Sequence, residues 1–449
     1  MGFIRNISEL SVSLLHEILL EVVEEGLARA DPYDAVMRNL SVRDGRLTIG
    51  GYEVSIPERV HVVGFGKASM KMLGALQDLL GKVICGGVVI TPDVEGWAGS
   101  VKILRGDHPF PTINTLKSSL HLLDYLEREV GENDLVLVLV SGGGSALFEV
   151  PEDELTLEEV SVVTKELMKR GADIVELNTV RKKLSRVKGG KLLKYVKAQK
   201  IVTLIMSDVV GDRLDVIASG PTVPDNTSFR DAYQILKKKN LWDDLPHKVR
   251  IFIERGLANE VPDTLKEGDP LFNKVRNFII ASNQLVLEYL SSTLSRRGFN
   301  TILLTSMLEG EAREVGKVLG SIVRNIKRYS KPVSTPAAIL AGGETVVTVR
   351  GSGVGGRNQE LCLSFTASIR GLRDVVAACV GTDGIDGVSP AAGAVVDGEL
   401  FEEATKRGLS PEEYLLNNDS YTFFQMMRRA IYTGYTGTNV NDIFVALIK

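Results

Sequence analysis

The sequence has few of the residues on which several protein classes depend. Its 449 residues include three cysteines, Cys85, Cys362 and Cys379, with no CxxC pair among them, and five histidines, none of them close together. This scarcity excludes a disulfide framework and a zinc ribbon, and it leaves little material for a histidine-rich metal centre. Scattered cysteines of this kind are typical of a reducing compartment, so we expect a cytoplasmic protein.

Excess charge and long hydrophobic runs are also missing. Lys and Arg number 53 and Asp and Glu number 57, a net charge of −4, which argues against nucleic acid or an anionic membrane surface as the main partner. The longest aliphatic run is Leu135–Val140, much shorter than the roughly 20 residues that span a bilayer. Glutamates from Glu9 to Glu25 also argue against a signal peptide.

Glycine, by contrast, is abundant, with 44 residues that concentrate where short aliphatic runs end. Arg59–Val63, Leu135–Val140 and Val375–Val380 are each followed by glycines and small polar residues, and longer helical patterns alternate with such runs along the chain. This alternation is typical of parallel sheets covered by helices, an α/β architecture. Loops at the carboxyl ends of such strands line the ligand crevice, so the glycines lie where a ligand would bind.

The alternation is interrupted once, around Thr222–Leu245, where prolines and a polar run replace it. A mostly helical stretch, residues 228–270, follows, and the strand pattern restarts at Phe278. We therefore predict two α/β domains, residues 1–240 and 241–449. The first should contain a Rossmann-like parallel sheet, and the second should be smaller.

The first glycine loop, residues 64–69 (GFGKAS), lies between a predicted strand and a predicted helix. It matches GxGxxS, so a dinucleotide-binding loop is one interpretation. Lys67 adds a positive charge where the N–H groups of a helix start already favour an anion, which suits a phosphate or a carboxylate. A tight turn with a solvated lysine is the alternative, and the residues alone leave both open.

The second glycine loop, residues 141–146 (SGGGSA), follows the most aliphatic strand. Three consecutive glycines weaken packing without structural gain unless a ligand approaches the backbone closely. The GxxxxGK[ST] spacing occurs nowhere in the sequence, so a Walker-type nucleotide site is not expected. ATP, if it binds, is held in another way.

A basic run follows Asn178, with six basic residues in the eleven positions from Arg181 to Lys191. The commonest meaning of such a run is a solvated helix face, and we expect this for most of its side chains. For Arg181 and Lys182, near the predicted helix start, we favour a place in a polyphosphate site.

Three polar residues lie just after the ends of predicted strands. Asp208 comes after Ile201–Met206 and is a candidate Mg²⁺ ligand or general base, with a turn or helix cap as the alternative. Asp383 follows Val375–Val380, where a magnesium-phosphate contact and a plain turn are both open. Asn283 occupies the same kind of position, just before a predicted helix.

The last glycine-rich segment runs from Gly342 to Arg357 and includes a predicted strand, Val346–Val349. Its glycines at 351–356 fit GxGxxG, which again indicates dinucleotide binding. Arg357, immediately after them, argues against a standard NAD loop, because a guanidinium at a helix start suits a bidentate grip on a phosphoryl group. Glu344 is placed to balance this charge or to bind a metal.

Taken together, these segments resemble the glycerate kinases of the second class, the family whose C-terminal domain is named MOFRL. The resemblance covers nearly the whole chain and is carried by residues 63–69, 140–146, 177–182, 207–212, 219–222, 342–345, 355–360 and 381–387. It implies ATP-dependent phosphorylation of D-glycerate, most often at the 2-hydroxyl, with Mg²⁺ or another divalent cation. It also implies a MOFRL region at about 335–443 and an active site in the cleft between two α/β domains.

The resemblance further implies that Lys67 and Arg357 are essential. As a hypothesis, Lys67 neutralises the polyphosphate or the glycerate carboxylate, Arg357 stabilises the γ-phosphoryl group, and Asp208 takes the hydroxyl proton or binds Mg²⁺. Asp383 is the second candidate metal ligand. The residues expected to bind substrate or nucleotide are Gly64, Gly66, Ser69, Ser141, Gly142, Gly143, Gly144, Ser145, Asn178, Arg181, Asn283, Glu344 and Asn358.

Two other functions compete with this one at the level of sequence. The two GxGxx[GS] loops support an NAD(P)-dependent oxidoreductase of a small hydroxy acid. A non-catalytic protein that binds a nucleotide or a sugar acid on a similar scaffold is the other. For the kinase, we expect ATP and D-glycerate as partners, neither nucleic acid nor membrane, and a monomer or homodimer.

Overall fold

The computed structural model describes residues 2–449 of the chain. Its strands are β1 (Leu40–Arg43), β2 (Arg46–Ile49), β3 (Tyr52–Ser55), β4 (Val60–Phe65), β5 (Ile84–Thr91), β6 (Gly96–Ala98), β7 (Val101–Arg105), β8 (Leu135–Val140), β9 (Lys200–Met206), β10 (Val275–Ala281), β11 (Asn300–Leu308), β12 (Ala337–Gly343), β13 (Val375–Gly381), β14 (Gly393–Asp397), β15 (Ala430–Ile431) and β16 (Asp442–Ile448).

The α-helices alternate with these strands. They are α1 (Ile7–Leu10), α2 (Leu14–Arg29), α3 (Pro32–Asn39), α4 (Ser69–Leu80), α5 (Ile113–Glu129), α6 (Gly144–Leu147), α7 (Leu157–Lys169), α8 (Ile174–Leu184), α9 (Phe229–Lys238), α10 (His247–Leu257), α11 (Asn283–Arg296), α12 (Ala312–Tyr329), α13 (Arg357–Ser368), α14 (Leu400–Lys406), α15 (Pro411–Leu416) and α16 (Ser420–Met426). Each helix within the described residues is too short or too polar to cross a bilayer.

The chain forms two compact units. The first unit comprises residues 35–207 and 212–280, and the second comprises residues 1–34, 208–211 and 281–449. The predicted boundary at 240/241 therefore falls inside the first unit. The reason is that α10 packs with α7, α8 and α9 in one apolar cluster, which includes Val163, Leu236 and Ile253. The N-terminal helix α2, in turn, packs on α11 of the second unit.

The first unit contains the predicted Rossmann-like sheet, which is confirmed. Its seven strands lie in the order β10-β9-β8-β4-β5-β7-β6, and β7, β5, β4, β8 and β9 are parallel to their neighbours in turn. The six aliphatic residues of β8 are all buried, as expected for a central parallel strand. Phe65 pairs with Val140, so β4 and β8 end side by side. The loops that follow them are therefore neighbours.

The second unit contains a six-stranded sheet in the order β11-β12-β16-β13-β14-β15. Only β11 and β12 form a parallel pair, and the other pairs are antiparallel. The expectation of a parallel sheet is wrong here, because the last strand of the chain inserts between β12 and β13, and alternating patterns do not reveal strand direction. The predicted strand Val346–Val349 is also wrong, since this mostly exposed segment bonds to the turn before α12 through Val346 and Gly310.

Candidate active site

Two glycine loops of the first unit, residues 64–69 and 141–146, lie against each other, and we call them the paired loops. The backbone N–H of Lys67 donates to the carbonyl oxygen of Gly142 over 3.0 Å, and that of Ala68 donates to Ser141 Oγ over 3.1 Å. Gly66 has φ +136°, and a Cβ atom there would collide with Ser141 Oγ. The close approach of the loops therefore requires glycine at position 66.

The paired loops contain hydrogen-bond donors that have no acceptor within residues 2–449. The backbone N–H groups of Gly142, Gly143 and Ser145 donate to no acceptor in this part of the chain, and neither does the exposed amine of Lys67. Adjacent backbone N–H groups beside an ammonium are typical of phosphate and carboxylate sites. This geometry supports the anion-binding interpretation of both loops over that of a simple turn.

The imidazole of His108 also lies at the paired loops, although no sequence motif points to this residue. A Cβ atom at Gly143, which has φ +80°, would lie 3.0 Å from His108 Cδ2 and 3.4 Å from Lys67 Cε. Burial, together with the charge of Lys67, lowers the pKa of His108, so the ring is neutral at pH 7. A neutral imidazole beside an anion site serves as a hydrogen-bond donor without adding charge.

A Gly143→Ala variant should lose anion binding. Alanine would have to adopt the positive φ of this position, and its methyl group would crowd both Lys67 and His108. We therefore expect ADP affinity to fall by about tenfold or more, the worth of one hydrogen bond to a charged group. Isothermal titration measures it. Gly74→Ala, in α4 with open space around it, is the control and should bind like wild type. Normal ADP binding by the Gly143 variant would contradict this account of the loop.

Hydrogen bonds tie the second loop to two other predicted segments. The hydroxyl groups of Ser145 and Ser219 lie 2.9 Å apart, and Ser219 Oγ donates to Asn178 Oδ1 over 2.8 Å. Ala218 and Ser219 hold φ angles of +49° and +62°, which is costly for residues with side chains and is often found at functional sites. The structure therefore places Asn178 beside the loop, where its side chain supports Ser219, and its predicted contact with substrate stays a prediction.

Other predicted residues of this unit have packing roles. A Cβ atom at Gly64 would lie 2.8 Å from Leu139 Cβ, and one at Gly144 would lie 2.8 Å from Ala218 Cβ, so tight packing accounts for both glycines without a ligand. The hydroxyl group of Ser69 is buried and has no hydrogen-bond partner in the described chain.

The basic run differs from both expectations made for it. Helix α8 begins at Ile174, so Arg181 and Lys182 lie in its last turn, and their predicted position near the helix start is wrong. The expectation of a solvated face is also wrong, because most of these side chains are buried, namely Arg181, Lys182, Lys183, Lys188 and Lys191.

Lys182 and Lys183 are buried because they share a carboxylate. Lys182 Nζ lies 3.3 Å from Asp225 Oδ1, and Lys183 Nζ lies 3.0 Å from Asp225 Oδ2. Although burial opposes it, these two ammonium groups hold the pKa of Asp225 below its ordinary value. The ion pairs fix α8 to the chain near Asp225, which favours a structural role for Lys182.

In the second unit, Arg357 is the first residue of α13, and two carboxylates hold its guanidinium group. Nε lies 2.6 Å from Asp442 Oδ2, Nη2 lies 3.1 Å from Asp442 Oδ1, and Nη1 lies 2.7 Å from Glu344 Oε1. Burial alone would lower the pKa of Arg357, but Asp442 and Glu344 raise it. The guanidinium plane is therefore fixed, and three of its five N–H groups are used.

Asp442 and Asn283 both contribute to this arrangement, and sequence reasoning identified only Asn283. Burial raises the pKa of Asp442 to about 7, although Arg357 opposes this shift. Asn283 Nδ2 donates to the carbonyl oxygens of Val440 and Asp442 over 2.9 and 2.8 Å, so Asn283 positions the start of β16. A carboxylate directly before an aliphatic strand is the signal that could have indicated Asp442.

The start of α13 is organised by a second buried carboxylate, Asp386. It accepts hydrogen bonds of 2.8 to 3.2 Å from the backbone and side-chain nitrogens of Asn358 and Gln359. Burial raises the pKa of Asp386, although these bonds oppose the shift. The side-chain nitrogen of Asn358 therefore already has a hydrogen-bond acceptor within the protein.

Asp383 lies in a turn. It accepts a hydrogen bond of 3.2 Å from the N–H of Ile385, which fits the turn that was one of its two interpretations.

Metal binding was predicted at Asp208 and Asp383. Residues 2–449 contain no group of three or more His, Cys, Asp or Glu side chains placed to hold a metal ion. Mg²⁺ in phosphoryl-transfer sites is commonly bound by one or two carboxylates together with substrate phosphates. Asp383 Oδ1 accepts the turn hydrogen bond from Ile385, and a single carboxylate of this kind is compatible with such a partial ligand set. Asp208 lies in the segment 208–211 of the second unit and is half-buried.

Two family models match this chain. One is described as a domain of unknown function, DUF4147, and matches residues 18–254, and the other is described as the MOFRL family and matches residues 337–442. The expected MOFRL domain in the C-terminal part of the chain is thereby confirmed. A curated relative from Pyrococcus horikoshii, named glycerate 2-kinase, is 43% identical over 97% of each chain.

A solved structure and a further relative complete the comparison. The crystal structure of glycerate kinase from Thermotoga maritima is 38% identical, with a TM-score of 0.84 over 96% of this chain and 98% of that one. A relative from Agrobacterium vitis, 37% identical over 96% of this chain and 94% of its own, is named provisionally as a hydroxypyruvate reductase. The resemblance seen in the sequence is confirmed, and the chain is an enzyme. It belongs to the glycerate kinase family whose C-terminal region is the MOFRL domain.

Proposed function

We propose that this enzyme transfers the γ-phosphoryl group of ATP to the 2-hydroxyl of D-glycerate. The observation that carries the proposal is the anion site at the paired loops, where Lys67 and the N–H groups of Gly142, Gly143 and Ser145 have no acceptor in the described chain. Phosphoryl transfer depends mainly on positioning and on neutralising charge, which is what such a site supplies. Membership of a kinase family supports the same reaction.

In this proposal, two cations act on the phosphate groups. Lys67 and the N–H groups of the loop bind phosphate oxygens, and neutral His108 donates a hydrogen bond to the same anion. Arg357 keeps two N–H groups beyond those bonded to Asp442 and Glu344, and these stabilise the phosphoryl group during transfer. Glu344 and Asp442 fix the direction in which those N–H groups point.

Asp208 remains the candidate for taking the proton of the attacking hydroxyl or for binding Mg²⁺, and Asp383 is the other candidate ligand. When bound, Mg²⁺ neutralises charge on the phosphate oxygens. The cytoplasmic location and a monomer or homodimer stay predictions.

Phosphorus NMR of the products from D-glycerate and ATP tests the proposed reaction. We expect ADP and 2-phosphoglycerate to form together, with no consumption of ATP when glycerate is omitted. A 3-phosphoglycerate signal would contradict the choice of hydroxyl. Unchanged ATP in the presence of glycerate and Mg²⁺ would contradict the kinase itself.

A hydroxy-acid oxidoreductase is the second candidate, because of the name of the Agrobacterium relative and the GxGxx[GS] loops. The structure weakens the signal from the glycines at 351–356, because the dinucleotide fingerprint requires a preceding strand and residues 347–350 form none. A thermal-shift comparison separates the candidates. We expect ATP with Mg²⁺ to raise the melting temperature, and NAD⁺ and NADP⁺ to leave it unchanged.

Activity should fall on the acidic side of neutrality because of Asp442. As the pH falls through about 7, Asp442 gains a proton and no longer holds Arg357 as an ion pair. We therefore expect kcat/KM to fall as the pH drops below an apparent pKa near 7. Asp442→Asn should lack this acidic limb. It should be slower than wild type by about 10²-fold above pH 7, the cost of misplacing a catalytic group by an ångström, and the difference should shrink as the pH falls. An unchanged pH profile in the variant would contradict this role.

The same group should make stability vary with pH in the opposite direction. The folded pKa of Asp442 lies above its ordinary value of 3.8, so its contribution to folding is most favourable below that value and is lost as the pH rises through about 7. The free energy of unfolding of Asp442→Asn, measured in urea, should therefore fall less than that of wild type across this range.

A further inference from the structure

Two buried cations of the first unit, Arg181 and Lys188, bind the same carbonyl oxygen of the second glycine loop. Arg181 Nη2 donates to the oxygen of Ser145 over 2.8 Å, and Lys188 Nζ donates to it over 2.9 Å. Lys188 also donates to the oxygen of Phe148 over 2.9 Å. Lys188 is 1% exposed and Arg181 is 9% exposed, so neither serves as a surface charge.

The charges of this cluster do not cancel. Within residues 2–449, Glu149 is the only carboxylate at ion-pair distance from either cation, with Oε2 at 3.1 Å from Lys188 Nζ. Neither carboxylate oxygen of Glu149 accepts a hydrogen bond in that part of the chain, and Arg181 Nε donates none. Lys191 lies near Lys188, but Glu152 balances it at 2.6 Å. Two cations and one carboxylate leave a net charge of +1.

Keeping this charge in the interior opposes folding. Burial lowers the pKa of Lys188 to about 8 against the influence of Glu149, and it also lowers the pKa of Arg181. Buried charges without full compensation are costly, so proteins that retain them commonly use them. Here the charge lies directly behind Ser145, whose own N–H is one of the three free donors of the loop.

We infer that Arg181, Lys188 and Glu149 set the affinity of the paired loops for an anion through their net charge. The two cations are positioning residues, because they hold the Ser145 carbonyl oxygen on the protein side of the loop. Their charge adds a positive potential at the N–H groups of Gly142, Gly143 and Ser145, which strengthens anion binding at low local dielectric. The inference rests on the proposed function only in taking the anion to be a nucleotide phosphate.

A set of charge variants separates this electrostatic role from packing. Lys188→Met brings the net charge to zero, Glu149→Gln brings it to +2, and the double variant returns it to +1. We expect Lys188→Met to weaken binding of ADP and inorganic pyrophosphate by about tenfold, and Glu149→Gln to strengthen it by about threefold to tenfold. The double variant should bind within about threefold of wild type, and Lys188→Arg should also retain affinity.

Packing alone predicts a different outcome, because every one of these substitutions would then weaken binding and the double variant would be the weakest. Isothermal titration without Mg²⁺ measures the affinities, and Lys191→Met combined with Glu152→Gln is the control that removes a buried ion pair at constant net charge. Weaker binding by Glu149→Gln, or by the double variant as much as by Lys188→Met, would overturn the inference. So would a wild-type protein that binds neither ADP nor pyrophosphate.

Failure of this inference and failure of the kinase proposal are distinguishable. The inference is judged from the order of affinities for two probes that need no turnover. The kinase proposal is judged from the appearance of phosphoglycerate in the wild-type protein.

Discussion

Replacing Arg357 with alanine should lower kcat for glycerate phosphorylation by about 10³-fold or more, with a much smaller effect on ADP affinity. The reason is that Asp442 and Glu344 already fix the guanidinium group, so its remaining N–H groups contribute when charge moves onto the phosphoryl oxygens. Single-turnover rates with saturating ATP measure this loss. Turnover within tenfold of wild type would remove the role.

Two further variants show whether the loss comes from the missing cation. Arg357→Lys keeps a positive charge but cannot reproduce the planar contacts with Asp442, so we expect it to recover only a small part of the rate. Arg350→Ala removes an exposed arginine from the preceding segment and should keep wild-type kinetics. Equal losses in the Arg350 and Arg357 variants would indicate a general disturbance of this region.

Replacing Lys67 with methionine should lower kcat/KM for ATP by about 10²-fold to 10³-fold. The side chain of Lys67 lies over Gly143, and its amine has no partner in residues 2–449, so the substitution removes charge without breaking a structural ion pair. We therefore expect the melting temperature without ligand to stay close to that of wild type. Steady-state kinetics and thermal unfolding together check both parts of this prediction.

The conservative change at the same position is the matched control. Lys67→Arg keeps the charge at the paired loops and should recover most of the affinity for ATP. A loss in Lys67→Arg as large as that in Lys67→Met would contradict a role based on charge. Unchanged kinetics in Lys67→Met would contradict the anion site at these loops.

The positions of the loops could be predicted from sequence because they follow from local patterns. Aliphatic runs such as Leu135–Val140 mark buried parallel strands, and the residues after them must lie at one edge of the sheet. The contact between the loops at Gly66 and Ser141 follows from the pairing of β4 with β8. The direction of β16 could not be predicted in this way, since it is set by packing with strands far away in the sequence.

The partners of charged side chains were the main feature that sequence could not reveal. The basic run suggested a solvated face, yet Lys183 is buried against Asp225, and Lys188 is buried against Glu149. Arg357 was identified as a cation, but its partner Asp442 lies 85 residues further along the chain. Burial of charge depends on pairs of residues brought together by the fold, and no local pattern in one chain records them.

A double-mutant cycle tests most directly whether Lys67 and Arg357 serve the same transfer step. Single-turnover rates of phosphoglycerate formation are measured for wild type, Lys67→Met, Arg357→Ala and the double variant. Residues that act together are strongly non-additive, so the double variant should be little slower than the slower single variant. Losses that multiply in full, or wild-type rates in either single variant, would contradict a joint action of these two residues.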